Sequence, residues 1–272
     1  MAQRSSVVSP IDSKEPIRTQ PGIPVPPGHN LVAQLWMPKP EGFMNEPPGL
    51  EYLGLVDKLL IKQIKELAEI VLDWETTNKY KILNGSGQQV YYAFEESGCC
   101  TRQFCGPQRG FTIHIVDNFN KEVVRIIRPF KCCAVLSNCW CAVAGSCCGD
   151  ELTVEAPPGN VIGTVQQRLA GCSNSYVVLN YDGQPILDLE GPCCCVMCGC
   201  QDKVYPMRTI SGEEVGEIKK MWGGIIKEAF TSADTFGVTF PMDMAIRTKA
   251  IMIGATFLID YMNFETKSNH SS

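Results

Sequence analysis

The stretch KYKILNGSGQQVYYAF, Lys79 to Phe94, decides the fold. Two runs rich in Tyr, Val, Ile and Phe flank Asn84-Gly85-Ser86-Gly87, and β-branched or aromatic residues on either side of an Asn- and Gly-bearing break are the chemistry of a hairpin. Four more pairs repeat the arrangement downstream. FTIHIV and EVVRII flank DNFNK, ELTVEA and NVIGTVQ flank PPG, SYVVLN and PILDLE flank YDGQ, and KVYPMRTI and EVGEI flank SGE. Ten to twelve short strands at such spacing predict a mainly β chain, an antiparallel barrel or sandwich rather than βαβ units. KYKILNGSGQQ, Lys79 to Gln89, also matches SYVVLNYDGQP, Ser175 to Pro185, in its order of Tyr, Leu-Asn and Gly-Gln. A duplicated half-barrel would explain the echo; chance similarity between two hairpins is the alternative.

Upstream, residues 1–46 are expected to be a disordered tail. Together with Pro47 and Pro48 they hold ten of the eighteen prolines and show no sustained hydrophobic period, so they cannot bury enough apolar surface to offset the entropy of ordering. Within the tail, PGIPVPPG (Pro21 to Gly28) has the composition of a polyproline II segment that docks in an aromatic groove, or of a plain spacer. From Leu53 to Trp74 the apolar residues fall at helical intervals, while Leu59-Leu60-Ile61 could equally open a buried strand.

At the other end, AIMIGATFLI (Ala250 to Ile259) runs into Asp260. A bilayer-crossing helix needs about 20 apolar residues, and an ionised carboxylate in hydrocarbon costs on the order of 2.5 kcal/mol or more, so a core helix enclosed by the barrel is expected instead of a span. A helix apolar on every side has to be covered on every side. The seven residues 266–272 read as a polar tail.

Charge and cysteine usage narrow the partners. The net charge of −5 and a pI near 5.3 argue against a protein that holds nucleic acid by a basic face. MAQRSSVVSPIDSKEPIRTQ at the start lacks the apolar core of a secretory signal, so the fifteen cysteines are expected in a reducing cytosol and not in disulfides. They cluster as Cys-Cys pairs and triplets with almost no histidine nearby, which is poor spacing for zinc. No GxSxG, HExxH or GxxxxGK stands in the chain, so a binding or transport role is expected rather than covalent catalysis.

Several stretches together resemble the phospholipid scramblase family: PPGLEYL (Pro47 to Leu53), ETTNKY (Glu75 to Tyr80), EESGCC (Glu95 to Cys100), EAPPGNVIG (Glu155 to Gly163), GPC (Gly191 to Cys193), KEAFTSADTFGVTFPMD (Lys227 to Asp243) and KAIMIGATFLIDYMNFE (Lys249 to Glu265). Their order and spacing define a domain over 47–265. The resemblance implies a tubby-like fold, a closed antiparallel barrel of about twelve strands around a hydrophobic C-terminal helix. It further implies calcium-triggered, ATP-independent movement of phospholipids between leaflets in both directions, and attachment by palmitate at the cytoplasmic face of the plasma membrane. A Pro-rich tail that recruits SH3- or WW-type partners is implied as well. A palmitoylated, membrane-tethered adaptor is the alternative function, and a nucleic-acid-binding regulator the weakest one.

The resemblance also places candidate sites. Cys132, Cys133, Cys139, Cys141, Cys147 and Cys148 hold the position of the acylated cluster, although here other residues stretch it out. Two or more acyl chains anchor stably where one is marginal. Ser232 to Asp243 has the length of a twelve-residue calcium loop whose ligands would be Ser232, Asp234, Phe236, Val238, Phe240 and Asp243, the apolar members through backbone oxygen, with Gly237 at the turn. Ser232 departs from the family, which usually has an acid there. GEIKKMWGG (Gly216 to Gly224) occupies a region that in some members directs nuclear import, but with only Lys219 and Lys220 basic that role is not expected here.

Overall fold

The computed structural model describes residues 36–42, 46–64, 78–97, 109–130, 150–170, 173–192, 202–221 and 234–264. Twelve strands form one closed antiparallel barrel: β1 (Lys58–Ile64), β2 (Lys79–Asn84), β3 (Gln89–Glu96), β4 (Phe111–Val116), β5 (Glu122–Arg128), β6 (Glu151–Glu155), β7 (Val161–Ala170), β8 (Ser173–Asn180), β9 (Pro185–Leu189), β10 (Lys203–Thr209), β11 (Glu214–Met221) and β12 (Thr235–Thr239). Each strand pairs with its neighbours in sequence, and β1 closes the ring by pairing with both β2 and β12. Closure removes every sheet edge that another chain could pair with. The alternation read from sequence is visible in β4, where Phe111, Ile113 and Ile115 point into the core while Thr112 and His114 are only partly covered.

Four of the five hairpins close with one turn geometry, and the fifth, between β6 and β7, turns through Pro157-Pro158-Gly159 after a cis Ala156–Pro157 bond. In the first, the Asn84 side-chain oxygen accepts the N–H groups of Ser86 (3.0 Å) and Gln88 (2.9 Å), and Gly87 takes φ 83°. Asn180 accepts from Asp182 (3.0 Å) and Gln184 (2.9 Å) with Gly183 at φ 76°, and Asp117 accepts from Phe119 and Lys121, both at 2.9 Å, with Asn120 at φ 59°. A register shift beside each turn marks the bulge that goes with a left-handed residue there. The sequence echo relates β2–β3 to β8–β9, six strands apart in a ring of twelve, the spacing of a duplicated half-barrel. Since β4–β5 and β10–β11 close the same way, turn chemistry by itself also accounts for the shared Asn and Gly.

One helix, α1 (Ile246–Asn263), fills the barrel. Every residue from Lys249 to Tyr261 is buried, and the helix packs on β6, β7, β8, β12 and on a short 3-10 helix, Glu51–Leu55. Phe257 meets Tyr80 of β2 edge-on at 4.9 Å, and Tyr261 stacks on Phe111 of β4 at 4.1 Å, so strands all round the ring touch it. The core helix expected over Ala250–Ile259 is therefore present. No helix among the described residues is long and apolar enough to cross a membrane.

Two expectations change. The helical spacing from Leu53 to Trp74 gives way, within its described part, to the 3-10 turn and then to β1, where Leu59 and Ile61 face the core. Strand pairing on both sides of β1 outweighs local periodicity, because the barrel cannot close without it. Part of the expected tail, 1–46, packs on the barrel: Trp36 bridges Gln89, Met37 donates its N–H to the Gln89 carbonyl at 2.8 Å, and the Met37 side chain is buried, while residues 1–35 lie outside the described residues.

Candidate functional site

Strand direction sorts the connections into two ends. The five three-residue turns all lie at one end, together with the start of β1, the end of β12 and the N-terminus of α1. At the opposite end the chain leaves β1, β3, β5, β7, β9 and β11, and α1 finishes there. All fifteen cysteines fall in the connections of this second end, which we call the cysteine end, and all lie outside the described residues. The six candidate acylation residues, Cys132, Cys133, Cys139, Cys141, Cys147 and Cys148, belong to one of them, the segment between β5 and β6.

Polar groups concentrate where the helix ends. Arg109 donates to both oxygens of the Glu95 carboxylate, at 3.0 and 3.2 Å, and both side chains are almost fully buried. Tyr261 O–H and Asn78 N–H donate to the same carboxylate at 2.8 Å, and the Arg109 guanidinium lies 5.0 Å from the centre of the Tyr261 ring. Burial pushes the Glu95 carboxyl up, but hydrogen bonds from Arg109, Ser97 and Tyr261 and the arginine's charge outweigh it and hold the group below the usual carboxylate range. A second pair, Arg128 and Asp150, closes at 2.6 Å, and Asn263 joins Asn174 and Tyr176 by hydrogen bonds of 2.6 and 2.9 Å. The result is a polar collar that ties the helix C-terminus to β2, β3, β5 and β8.

The hairpin end is braced by one cation. Lys249 is fully buried, yet its ammonium donates three hydrogen bonds, to the carbonyls of Leu53 (3.1 Å), Val56 (2.8 Å) and Met242 (2.7 Å), which use all its protons. Desolvation lowers its pKa, opposed by the charges of Asp57 and Asp243. Sequence reading passed over Lys249; the signal was a lone lysine at the head of an otherwise apolar helix.

The twelve-residue calcium loop is not a loop. Of its expected ligands, Phe236 and Val238 are buried in β12, which is paired on both sides so that its carbonyls serve the ladders, and Phe240 is buried just beyond it. Asp234 stands at the cysteine end, where its carboxylate meets the Lys220 ammonium at 3.0 Å, and Asp243 stands at the hairpin end beside α1. Six extended residues from Asp234 to Phe240 span about 20 Å, whereas calcium ligands lie about 2.4 Å from the ion, so the two carboxylates cannot share one. Ser232 lies outside the described residues.

A closed meander barrel plugged by its own C-terminal helix, with long cysteine-bearing connections at one end, defines the class of protein. The chain belongs to the scramblase family: the family model described as Scramblase matches residues 37–266. It is 45% identical over 232 residues to phospholipid scramblase 1 of Homo sapiens, covering 85% of this chain and 70% of that one. It is 42% identical to phospholipid scramblase 2 of Bos taurus (92% and 80% covered) and 40% identical to phospholipid scramblase family member 5 of Homo sapiens (93% and 89%). No solved structure matches.

Proposed function

We propose that this protein moves phospholipids between the leaflets of a membrane, in both directions, without ATP and without making or breaking covalent bonds. The observation that carries the reading is identity of 40 to 45% over most of the chain to proteins named phospholipid scramblases. The architecture adds a constraint. Among the described residues the barrel interior is filled by α1 and by core side chains of near-zero exposure, so a lipid has no path through the lumen and must move along the outer surface.

Attachment by palmitate on Cys132, Cys133, Cys139, Cys141, Cys147 and Cys148, at the cytoplasmic face of the plasma membrane, belongs to the same proposal. It is supported by the family position of these residues and by their gathering in one connection. The Pro-rich segment Pro21–Gly28, outside the described residues, is proposed to recruit SH3- or WW-type domains. Calcium dependence is proposed on the family resemblance, with Asp234 as the one carboxylate of the expected set placed to serve at the cysteine end. Its ion pair with Lys220 has to open first.

Purified protein in liposomes carrying a fluorescent lipid tests the reading. The expected result is loss of leaflet asymmetry in the presence of calcium and no ATP. Lipid that stays in its leaflet, with protein shown to be bound, would leave the tethered adaptor as the function.

A further inference from the structure

Seven large apolar side chains are conspicuously exposed among the described residues, and six of them stand at the hairpin end: Leu55 (54% exposed), Phe119 (40%), Val161 (43%), Tyr181 (67%), Ile210 (52%) and Met242 (52%). The six occur at five of the six turn positions around the ring; the β2–β3 turn, Gly85-Ser86-Gly87, is the exception. We infer that the hairpin end is a membrane-docking surface whose turn tips enter the headgroup region of a lipid bilayer.

The fold does not ask for these residues. Tyr181 and Ile210 follow Asn180 and Thr209, the residues that cap their turns, and the same position holds Gly85 and Asn118 in two other hairpins with the same hydrogen bonds. A turn built by Asn and Gly is satisfied by any residue there, and a polar one would cost nothing in water. Singly exposed apolar side chains need no partner, but six of them gathered at five of the six turn positions of one end point to one.

The partner's shape follows from the distribution. A peptide would reach two or three neighbouring turns, whereas a planar surface meets all of them at once. Protein interfaces need a contiguous packed core, and here capped polar turns separate the tips; a lipid surface accepts isolated side chains. Exposed charges at this end include Asp57, Asp182, Glu213, Glu214 and Asp243 against Lys58, Lys121 and Arg247, a small acidic surplus that does not attract anionic lipid. Binding should therefore be apolar in character and not depend on anionic lipid.

This inference rests on reading the chain as a membrane protein, but its test measures attachment and not lipid transfer, so the two can fail separately. The full chain, produced without acylation, is sedimented with phosphatidylcholine vesicles in calcium-free buffer at about 0.1 M and about 0.5 M salt. The expected result is salt-insensitive binding that falls at least about tenfold in the triple variant Phe119→Ser, Tyr181→Ser, Ile210→Ser, with its unfolding midpoint unchanged. As a direct readout that does not depend on the triple variant folding, Tyr181→Trp should add emission that bromine-labelled lipid quenches. Equal binding by the triple variant, absence of wild-type binding, or no quenching after Tyr181→Trp overturns the inference. A tip-dependent dimer in sedimentation, with no vesicle binding, would also overturn it and assign this end to a second copy of the chain.

Discussion

The two ends of the barrel solve the same closure problem in opposite ways. At the hairpin end, the turns are three residues long, the backbone of four is satisfied by Asn, Asp and Thr side chains and that of the fifth by Glu155, and the helix entrance is held by Lys249 through three main-chain carbonyls. At the cysteine end the connections are long, save the two residues between β7 and β8, and the helix exit is held beside buried ion pairs. Short turns fix their own geometry and leave tip residues free, whereas long connections leave the rim beneath them to be fixed by buried charge. Chemistry accumulates in connections on a rigid frame. On this reading the acyl tether arises from one end and the apolar tips from the other. Nine residues from Phe130 to Cys139 reach about 30 Å when extended, about the length of the strand Val161–Ala170, so Cys139 and Cys141 can share a membrane with the tips, whereas Cys132, Cys133, Cys147 and Cys148, two or three residues from Phe130 or Asp150, cannot.

The sharpest way to break the comparison is to remove half of a buried pair. Glu95→Ala removes the buried carboxylate that faces the Arg109 guanidinium, and the expected loss is about 3–5 kcal/mol, read as a lower urea midpoint. Replacing both partners, Glu95→Leu with Arg109→Met, should recover most of that loss, because neither charge is then left buried. The pH dependence carries its own sign. The folded carboxyl titrates below its unfolded value, so its contribution is whole at neutral pH and is lost as the pH falls through the folded value. The double replacement should accordingly flatten the acid limb of the stability profile.

At the hairpin end the corresponding change, Lys249→Ala, takes the donor from the buried carbonyls of Leu53 and Val56 and the part-buried one of Met242 and should cost about 3 kcal/mol, less than the loss of Glu95. If chemical denaturation finds it as damaging as Glu95→Ala, the view that the two ends differ in kind fails. Gly254 lies between the ends, where a Cβ would stand 2.7 Å from Val154 Cγ2 and 3.1 Å from Leu152 Cδ2. Gly254→Ala is expected to cost about 1–3 kcal/mol by overpacking the helix against β6, measured as a fall in melting temperature with no change in the acid limb.

The antiparallel strands were legible because hairpins are local, whereas their closure into a barrel and not a sandwich was implied only by the family resemblance. A turn residue and two alternating strands carry their own evidence, and the five pairs read from sequence each correspond to a hairpin of the structure. The enclosed helix was legible too, since an apolar run too short to span a bilayer has few other places to go. β1 was less clear, because its pairing with β12 joins residues far apart in the chain and no local pattern records that. The same non-locality undid the calcium loop: Ser232 to Asp243 has the right length, but whether Thr235–Thr239 is a coil or the closing strand depends on β1 and β11. Glu95 and Arg109 gave no signal at all, since a carboxylate at a strand end is ordinary until the fold buries it.

The smallest expected effect concerns Asp234 and Lys220, and it bears on what the cysteine end does with calcium. The pair is partly exposed, so breaking it should change stability by less than about 1 kcal/mol. Lys220 also lies 3.9 Å from the centre of the Phe264 ring and 5.4 Å from that of Phe236, so it has cation–π partners that keep it in place once the carboxylate is gone. If calcium takes Asp234, it competes with this ammonium. Removing the competitor with Lys220→Gln should then tighten calcium binding, by a few-fold at most for an exposed pair, while Asp234→Asn should abolish it. Asp243→Asn, at the other end of β12, should leave it unchanged. Calorimetry on the three variants separates the ends: a calcium response that depends on Asp243 as much as on Asp234 would mean that the ion does not bind where the strand geometry puts it.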